Sequence, residues 1–60
     1  MNMYNILVLE DEKDIAMGIR TYLVNQGYKV FIGENGVQGL EILEKEEIHL
    51  AIVDIMMPKC

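Results

Sequence analysis

Two short apolar runs, each followed at once by carboxylates, constrain the fold of this chain more than any other feature. Ile6–Leu9 precedes three consecutive acids, and Leu50–Val53 precedes a single one. Apolar runs of this length are typical of strands buried on both faces, as in parallel sheets. If the two strands are parallel neighbours, their carboxyl ends bring Glu10, Asp11 and Asp54 together at the edge where such sheets bind ligands.

The residues around and between these runs predict strands that alternate with helices. Apolar residues spaced by three and four indicate helices, whereas aromatic and β-branched residues indicate strands. The predicted elements are strands at Asn5–Leu9, Tyr28–Ile32 and Ile48–Ile55 and helices at Asp14–Gln26 and Val37–Lys45. This β-α-β-α-β order predicts an α/β fold with a parallel sheet and right-handed crossovers.

Each predicted helix has an apolar face and recognisable end signals. The apolar positions are Ile15, Ala16, Ile19, Tyr22 and Leu23 in the first helix and Val37, Leu40 and Leu43 in the second. The carboxylates of Asp11, Glu12 and Asp14 are expected to cap the first helix, and Asn35 to cap the second. Gly27 is a typical helix stop. Gly39, inside the second helix, suggests close packing on the sheet.

Composition excludes several classes of protein. The 60 residues form at most one small domain, and 52% hydrophobic content argues against disorder. A net charge of −5 argues against a nucleic-acid surface in this segment. No apolar run approaches the roughly 20 residues that span a bilayer, and the first residues carry no positive charge typical of a signal peptide. With the single cysteine Cys60, these features predict a cytoplasmic protein without a membrane segment.

Converging carboxylates repel one another unless a cation neutralises them, and Mg²⁺ suits carboxylates, waters and phosphate oxygens. The first loop contains no glycine, which disfavours a nucleotide site of the glycine-rich kind. Asp54 could act as a nucleophile on phosphorus, with the metal offsetting the repulsion between anions. A main-chain carbonyl near Met56 could supply another ligand. By spacing alone, the acids after Leu9 could equally cap a helix, and Asp54 could be a turn residue before Pro58.

The motifs LVLEDE and LAIVDIMMP, about forty residues apart, resemble those of the receiver domain of bacterial two-component response regulators. The segment GYKVFIGENGVQGLEIL is similar to the second strand and second helix of that family. The likeness is greatest to regulators with a C-terminal winged-helix DNA-binding domain. It implies a flavodoxin-like, doubly wound parallel sheet and phosphorelay signalling from a sensor histidine kinase, with DNA as a partner of the intact parent.

The resemblance also implies roles for individual residues. Asp54 matches the aspartate that accepts phosphate, and Asp11 matches a direct ligand of Mg²⁺. Glu10 matches the second acid of the pair, acting through a water, and stands where many members have aspartate. Met56 matches the residue whose main-chain carbonyl completes the metal ligands. His49 stands where an acidic residue is common, near the start of the third strand and far from the chemistry, and is interpreted as a residue without a functional role.

A receiver domain has roughly 120 residues and five strands in the order 2-1-3-4-5. Residues 1–60 are therefore expected to be a partial receiver domain, truncated after the third strand, with strand order 2-1-3. The family's hydroxyl residue and lysine after the fourth and fifth strands are not among these residues. The third strand, central in the family, becomes an apolar edge here, which predicts self-association through that strand.

Three functions follow as hypotheses. The first is a non-enzymatic signalling module that accepts phosphate at Asp54 and whose parent controls transcription. The second is a half-domain that oligomerises through its third strand without phosphotransfer. The third, a nucleotide-binding Rossmann-like enzyme, is disfavoured by the glycine-free first loop.

Overall fold

The structure is a computed structural model that describes residues 3–53 of the chain. Its five elements are β1 (Asn5–Leu9), α1 (Lys13–Asn25), β2 (Lys29–Gly33), α2 (Gly36–Lys45) and β3 (Leu50–Val53). The order is the predicted one, and the boundaries of the first four elements differ from the prediction by at most one residue. β3 begins two residues later than predicted, and the predicted end of that strand, Asp54 and Ile55, lies outside the described residues.

The three strands form one parallel sheet in the order β2-β1-β3, which confirms the predicted fold class and strand order. The register pairs Ile6 with Val30 on one side and with Leu50 on the other. The central strand β1 forms the core, where Ile6, Leu7 and Val8 are at most 2% exposed. This burial explains the unbroken apolar run, because a central parallel strand is covered on both faces.

The two helices cover opposite faces of the sheet. Leu9 lies against Gly39 of α2, whereas Ile6 and Leu23 of α1 line the same cleft. Residues three apart on a strand point to opposite faces, so α2 covers the Leu9 face and α1 the Ile6 face. This arrangement is what right-handed crossovers require, because the chain steps from β1 to β2 in one direction and back across β1 to β3 in the other.

Close approach of α2 to the sheet depends on two glycines. A Cβ atom at Gly39 would lie 2.7 Å from Leu9 Cδ2, and one at Gly33 would lie 2.8 Å from the same methyl carbon. Both distances are shorter than van der Waals contact, so only glycine fits without a shift of its neighbours. The close packing predicted from Gly39 is confirmed, and Gly33 is its partner on the strand.

The helix ends agree with the prediction except at the start of α1. Asn35 Oδ1 accepts a hydrogen bond from the Gln38 N–H at 2.9 Å, as an N-cap should. Gly27 has φ of 97°, the left-handed conformation expected after a helix. The N-cap of α1 is Glu12, whose side chain makes no capping hydrogen bond. Of the three acids expected at this helix start, Glu12 is the N-cap residue but does not make the expected side-chain bond, and Asp14 lies in the first turn. The Glu12 N–H donates to the carboxylate of Glu10.

Both helices leave apolar residues exposed. Of the predicted apolar positions of α1, Ala16 is buried and Ile15 and Tyr22 are exposed. The predicted apolar face of α2 is exposed at all three positions, Val37, Leu40 and Leu43, and Gly39 faces the sheet instead. The three residues share one exposed face of the helix, and no element within residues 3–53 covers that face.

Within residues 3–53, β3 is an open edge of the sheet. It pairs with β1 on one side, and Leu50 and Val53 are 55% and 65% exposed. The predicted exposure of an apolar third strand at the sheet edge is therefore confirmed. Over residues 3–53, no helix is both long enough and apolar enough to cross a membrane.

Candidate functional site

Glu10 lies at the carboxyl end of β1 and is only 2% exposed. Its main-chain N–H donates to the Gly33 carbonyl at 3.1 Å, which continues the pairing with β2 by one residue. Burying a carboxylate is costly unless hydrogen bonds or a cation stabilise it. Its burial therefore distinguishes Glu10 from an acidic loop residue that contacts only solvent.

The Glu10 carboxylate is directed into its own loop. Its Oε2 atom accepts a hydrogen bond from the Glu12 N–H at 2.9 Å. This contact fixes the backbone between Glu10 and the start of α1, so that Asp11 occupies the bend between strand and helix. Asp11 is exposed at this end of the sheet.

A shallow cleft of about 180 Å³ lies beside Glu10 on the face covered by α1. Lys13 and Glu34 line it together with apolar residues of α1 and β2. Neither residue is among those predicted from the sequence to form the site. The signal was available, because Glu34 directly follows β2 and the carboxyl ends of parallel strands meet at one edge.

The predicted acidic cluster is only partly within the described residues. Glu10 and Asp11 lie together at the end of β1, whereas Asp54 and Met56 fall outside residues 3–53. Within that range, no group of three or more His, Cys, Asp or Glu side chains is placed to hold a metal ion. The described part of β3 ends at Val53, which is the register partner of Leu9, the residue before Glu10.

Most of the chain, including the residues of this site, matches a known protein family. The model of the response regulator receiver domain matches residues 6–60, which is most of the chain. This chain belongs to the response regulator receiver family. The resemblance of its motifs is thereby confirmed, and the parallel sheet in the order β2-β1-β3 is that of a flavodoxin-like receiver fold. Receiver domains of this family are signalling modules of phosphorelays.

The chain is also similar to individual curated proteins that are named as a response regulator or as regulatory proteins. The chain is 42% identical over 55 residues to response regulator RR06 of Streptococcus pneumoniae, covering 92% of the chain and 25% of the relative. It is 45% identical over 53 residues to regulatory protein VanR of Enterococcus faecium, covering 88% and 23%. It is 43% identical over 54 residues to transcriptional regulatory protein DltR of Streptococcus agalactiae, covering 90% and 24%. The chain thus spans about a quarter of these relatives, and no solved structure matches it significantly.

Receiver domains generally bind Mg²⁺, and the described residues fit that ion. Glu10 and Asp11 offer hard carboxylate oxygens, which Mg²⁺ prefers, and the exposed Asp11 leaves room for the waters that Mg²⁺ retains. No soft or imidazole ligand accompanies them in the described part of the loop, so a zinc-type site is not indicated there.

Proposed function

We propose that residues 1–60 form part of a receiver domain in which Asp54 accepts a phosphoryl group from a sensor histidine kinase. The bond between phosphorus and the kinase histidine nitrogen breaks, and a bond to an Asp54 carboxylate oxygen forms. The observation that carries the proposal is the parallel pairing of β1 with β3 up to Leu9 and Val53. In the proposed domain this register continues by one residue, which would pair Glu10 with Asp54.

In this proposal Mg²⁺ is held by Asp11, Glu10, Asp54 and the main-chain carbonyl of Met56, with Glu10 acting through a water. The ion would supply positive charge that offsets the repulsion between the aspartate and the phosphoryl oxygens. The chain's own contribution is to hold its ligands rigidly. The Glu12 N–H fixes the Glu10 carboxylate, and the bond from Glu10 to Gly33 fixes the strand end from which Asp11 projects.

The intact parent is proposed to act in the cytoplasm and to control transcription by binding DNA through a segment other than residues 1–60. The names of the relatives support this, since DltR is a transcriptional regulatory protein and VanR a regulatory protein. We propose no catalytic turnover by this module on other molecules. A nucleotide-binding enzyme is disfavoured because residues 10–12, between β1 and α1, contain no glycine.

The test is phosphorylation by acetyl phosphate, read by intact mass. Residues 6–60 are grafted in place of the matching segment of RR06, so that the remainder of a receiver domain is present. We expect a Mg²⁺-dependent adduct of one phosphoryl group, and a lack of adduct in both the presence and absence of Mg²⁺ would contradict the proposal. The 60-residue chain alone is expected to form little stable adduct, because it lacks the hydroxyl and lysine that hold phosphoryl oxygens in the family.

A second function, self-association through β3, is favoured by the exposure of that strand. An edge strand with unpaired backbone groups and apolar side chains is a template for pairing with another copy. Two copies related by a two-fold axis would pair their β3 strands antiparallel and so join two sheets into one. This property concerns the 60-residue chain, and it is compatible with phosphotransfer in the intact parent.

Size-exclusion chromatography with light scattering tests this pairing. We expect the 60-residue chain to elute as a dimer or larger species, and Leu50→Lys to shift it towards monomer because a charge on the edge opposes strand pairing. Leu40→Lys is the matched control, since Leu40 is similarly exposed but lies on α2. A dispersed monomeric wild type, or an equal effect of both variants, would contradict pairing through β3.

A further inference from the structure

The amino ends of β1 and β3 are joined by an arrangement that phosphotransfer does not require. The Asn5 N–H donates to His49 Nδ1 at 2.9 Å, and the His49 N–H donates to the Asn5 carbonyl at 2.9 Å. Asn5 Nδ2 also donates to the Glu47 carbonyl at 2.7 Å, which attaches the loop before β3 to the start of β1. We call the reciprocal bonds of Asn5 and His49 the Asn5–His49 clamp.

The clamp lies immediately before the paired part of the two strands. The β1–β3 register begins with Ile6 and Leu50, the residues that follow Asn5 and His49. A slip of one residue in that register would turn every β3 side chain to the opposite face of the sheet. Since the described part of β3 has four residues and pairs with one strand within residues 3–53, contacts at its start contribute a large share of what holds its register.

One bond of the clamp exists only while the imidazole is neutral. A ring nitrogen accepts a hydrogen bond only without a proton, so Nδ1 must be deprotonated to accept from the Asn5 N–H. When Nδ1 gains a proton, two N–H groups face each other and the bond is lost. Histidine is the side chain type whose charge ordinarily changes within the range of pH that cells experience.

The surroundings offer the protonated ring a different partner. Glu47 Oε2 lies 3.7 Å from His49 Nε2, too far for a good hydrogen bond but close enough to attract a charged imidazole. The Tyr4 ring packs edge-on against His49 with ring centroids 5.3 Å apart. Tyr28 lines a cleft together with these two residues. Among the described residues, Glu47 is thus the charged group that faces this ring. Protonation exchanges a bond to β1 for an ion pair within the loop that carries His49.

We propose that His49 is an acid-sensitive lock on the register of β3. Neutral His49 fastens the start of β3 to β1 through two bonds with Asn5, and protonation of Nδ1 removes one of them while the bond from the His49 N–H to the Asn5 carbonyl remains. The inference is independent of phosphotransfer at Asp54, because it concerns the opposite end of the sheet. It assigns a role to a histidine that the sequence interpretation regarded as having none.

The test is NMR of the 60-residue chain between pH 7.5 and 5.5. Imidazole ¹⁵N shifts should show Nδ1 unprotonated at pH 7.5. Hydrogen-exchange protection of the Asn5 amide, corrected for intrinsic rates, should fall roughly two- to tenfold at pH 5.5, as loss of one hydrogen bond implies. The midpoint should coincide with the titration of His49. A protonated Nδ1 at pH 7.5, or constant Asn5 protection while His49 titrates, would overturn the lock.

Two variants separate the lock from general acid effects. His49→Phe keeps a ring beside Tyr4 but removes the acceptor, so Asn5 protection should be low and independent of pH. Glu47→Gln keeps the clamp and the loop length but removes the carboxylate, so the fall in protection should persist, because it depends on Nδ1 and not on Glu47. The same pH-dependent fall at Asn5 in His49→Phe as in wild type would contradict the role of His49.

Discussion

Replacing Asp54 with alanine is expected to abolish the phosphoryl adduct in the RR06 graft that carries residues 6–60. Phosphotransfer needs a carboxylate oxygen as the nucleophile, and alanine offers none at this position. In the proposed site no neighbouring group can substitute, because Glu10 is buried and directed to the Glu12 N–H, and Asp11 is engaged with the cation. The loss should therefore be complete within the detection limit of intact-mass measurement after incubation with acetyl phosphate and Mg²⁺.

A matched control is Asp14→Ala. Asp14 is an exposed aspartate in the first turn of α1, so its replacement changes the net charge equally but removes no proposed ligand. We expect it to retain the adduct at the wild-type level. An adduct of undiminished yield in Asp54→Ala, with the circular dichroism of the graft unchanged, would show that another residue accepts the phosphoryl group.

Replacing Gly33 with alanine is expected to lower the free energy of unfolding by about 1–3 kcal/mol, the usual cost of overpacking. The new Cβ atom would lie 2.8 Å from Leu9 Cδ2 and 3.2 Å from the main-chain nitrogen of Gly39. The methyl carbon could move, but the nitrogen belongs to the backbone of α2, so the helix itself must shift. A chain of 60 residues has roughly 3–9 kcal/mol of stability in total, so this loss would be a large fraction of it.

Urea unfolding of the 60-residue chain measures this effect, and Gly18→Ala is the control. Gly18 lies inside α1 with no heavy atom within 4 Å of a built Cβ, so alanine there should stabilise by about 0.5–1 kcal/mol. We expect the two glycine-to-alanine variants to change the free energy of unfolding in opposite directions. If Gly33→Ala were as stable as wild type, the close approach of α2 to Leu9 would not be required.

Local signals in the sequence were sufficient to predict the elements of this fold. The apolar run of β1, the N-cap Asn35 and the helix stop Gly27 each act through their immediate neighbours and were identified correctly. The strand order required more than local signals. It followed from the resemblance to the receiver family and is confirmed by the pairing of β1 with both other strands.

The incorrect or incomplete expectations depended on contacts that periodicity and residue type do not show, some of them local and others distant in sequence. Periodicity grouped Val37, Leu40 and Leu43, but the orientation of α2 is set by the contact of Gly39 with Leu9 thirty residues earlier. Glu12 was expected to cap α1 with its side chain, but the Glu10 carboxylate binds its N–H instead. Likewise, nothing near His49 in sequence indicates that Asn5 is its partner, because only the parallel pairing of β1 and β3 brings them together.

The most direct test of the account is paramagnetic broadening by Mn²⁺, which takes the same hard oxygen ligands as Mg²⁺. NMR of the chain during a Mn²⁺ titration should show the amides of residues 10–12 and those immediately after Val53 broadening first and together, with reversal by excess Mg²⁺. Amides of Asn5 and His49, at the opposite end of the strands and roughly 13–16 Å away, should broaden later and much less. Broadening confined to one strand end, or unchanged in Asp54→Ala, would show that the acids after Leu9 and after Val53 do not share one ion.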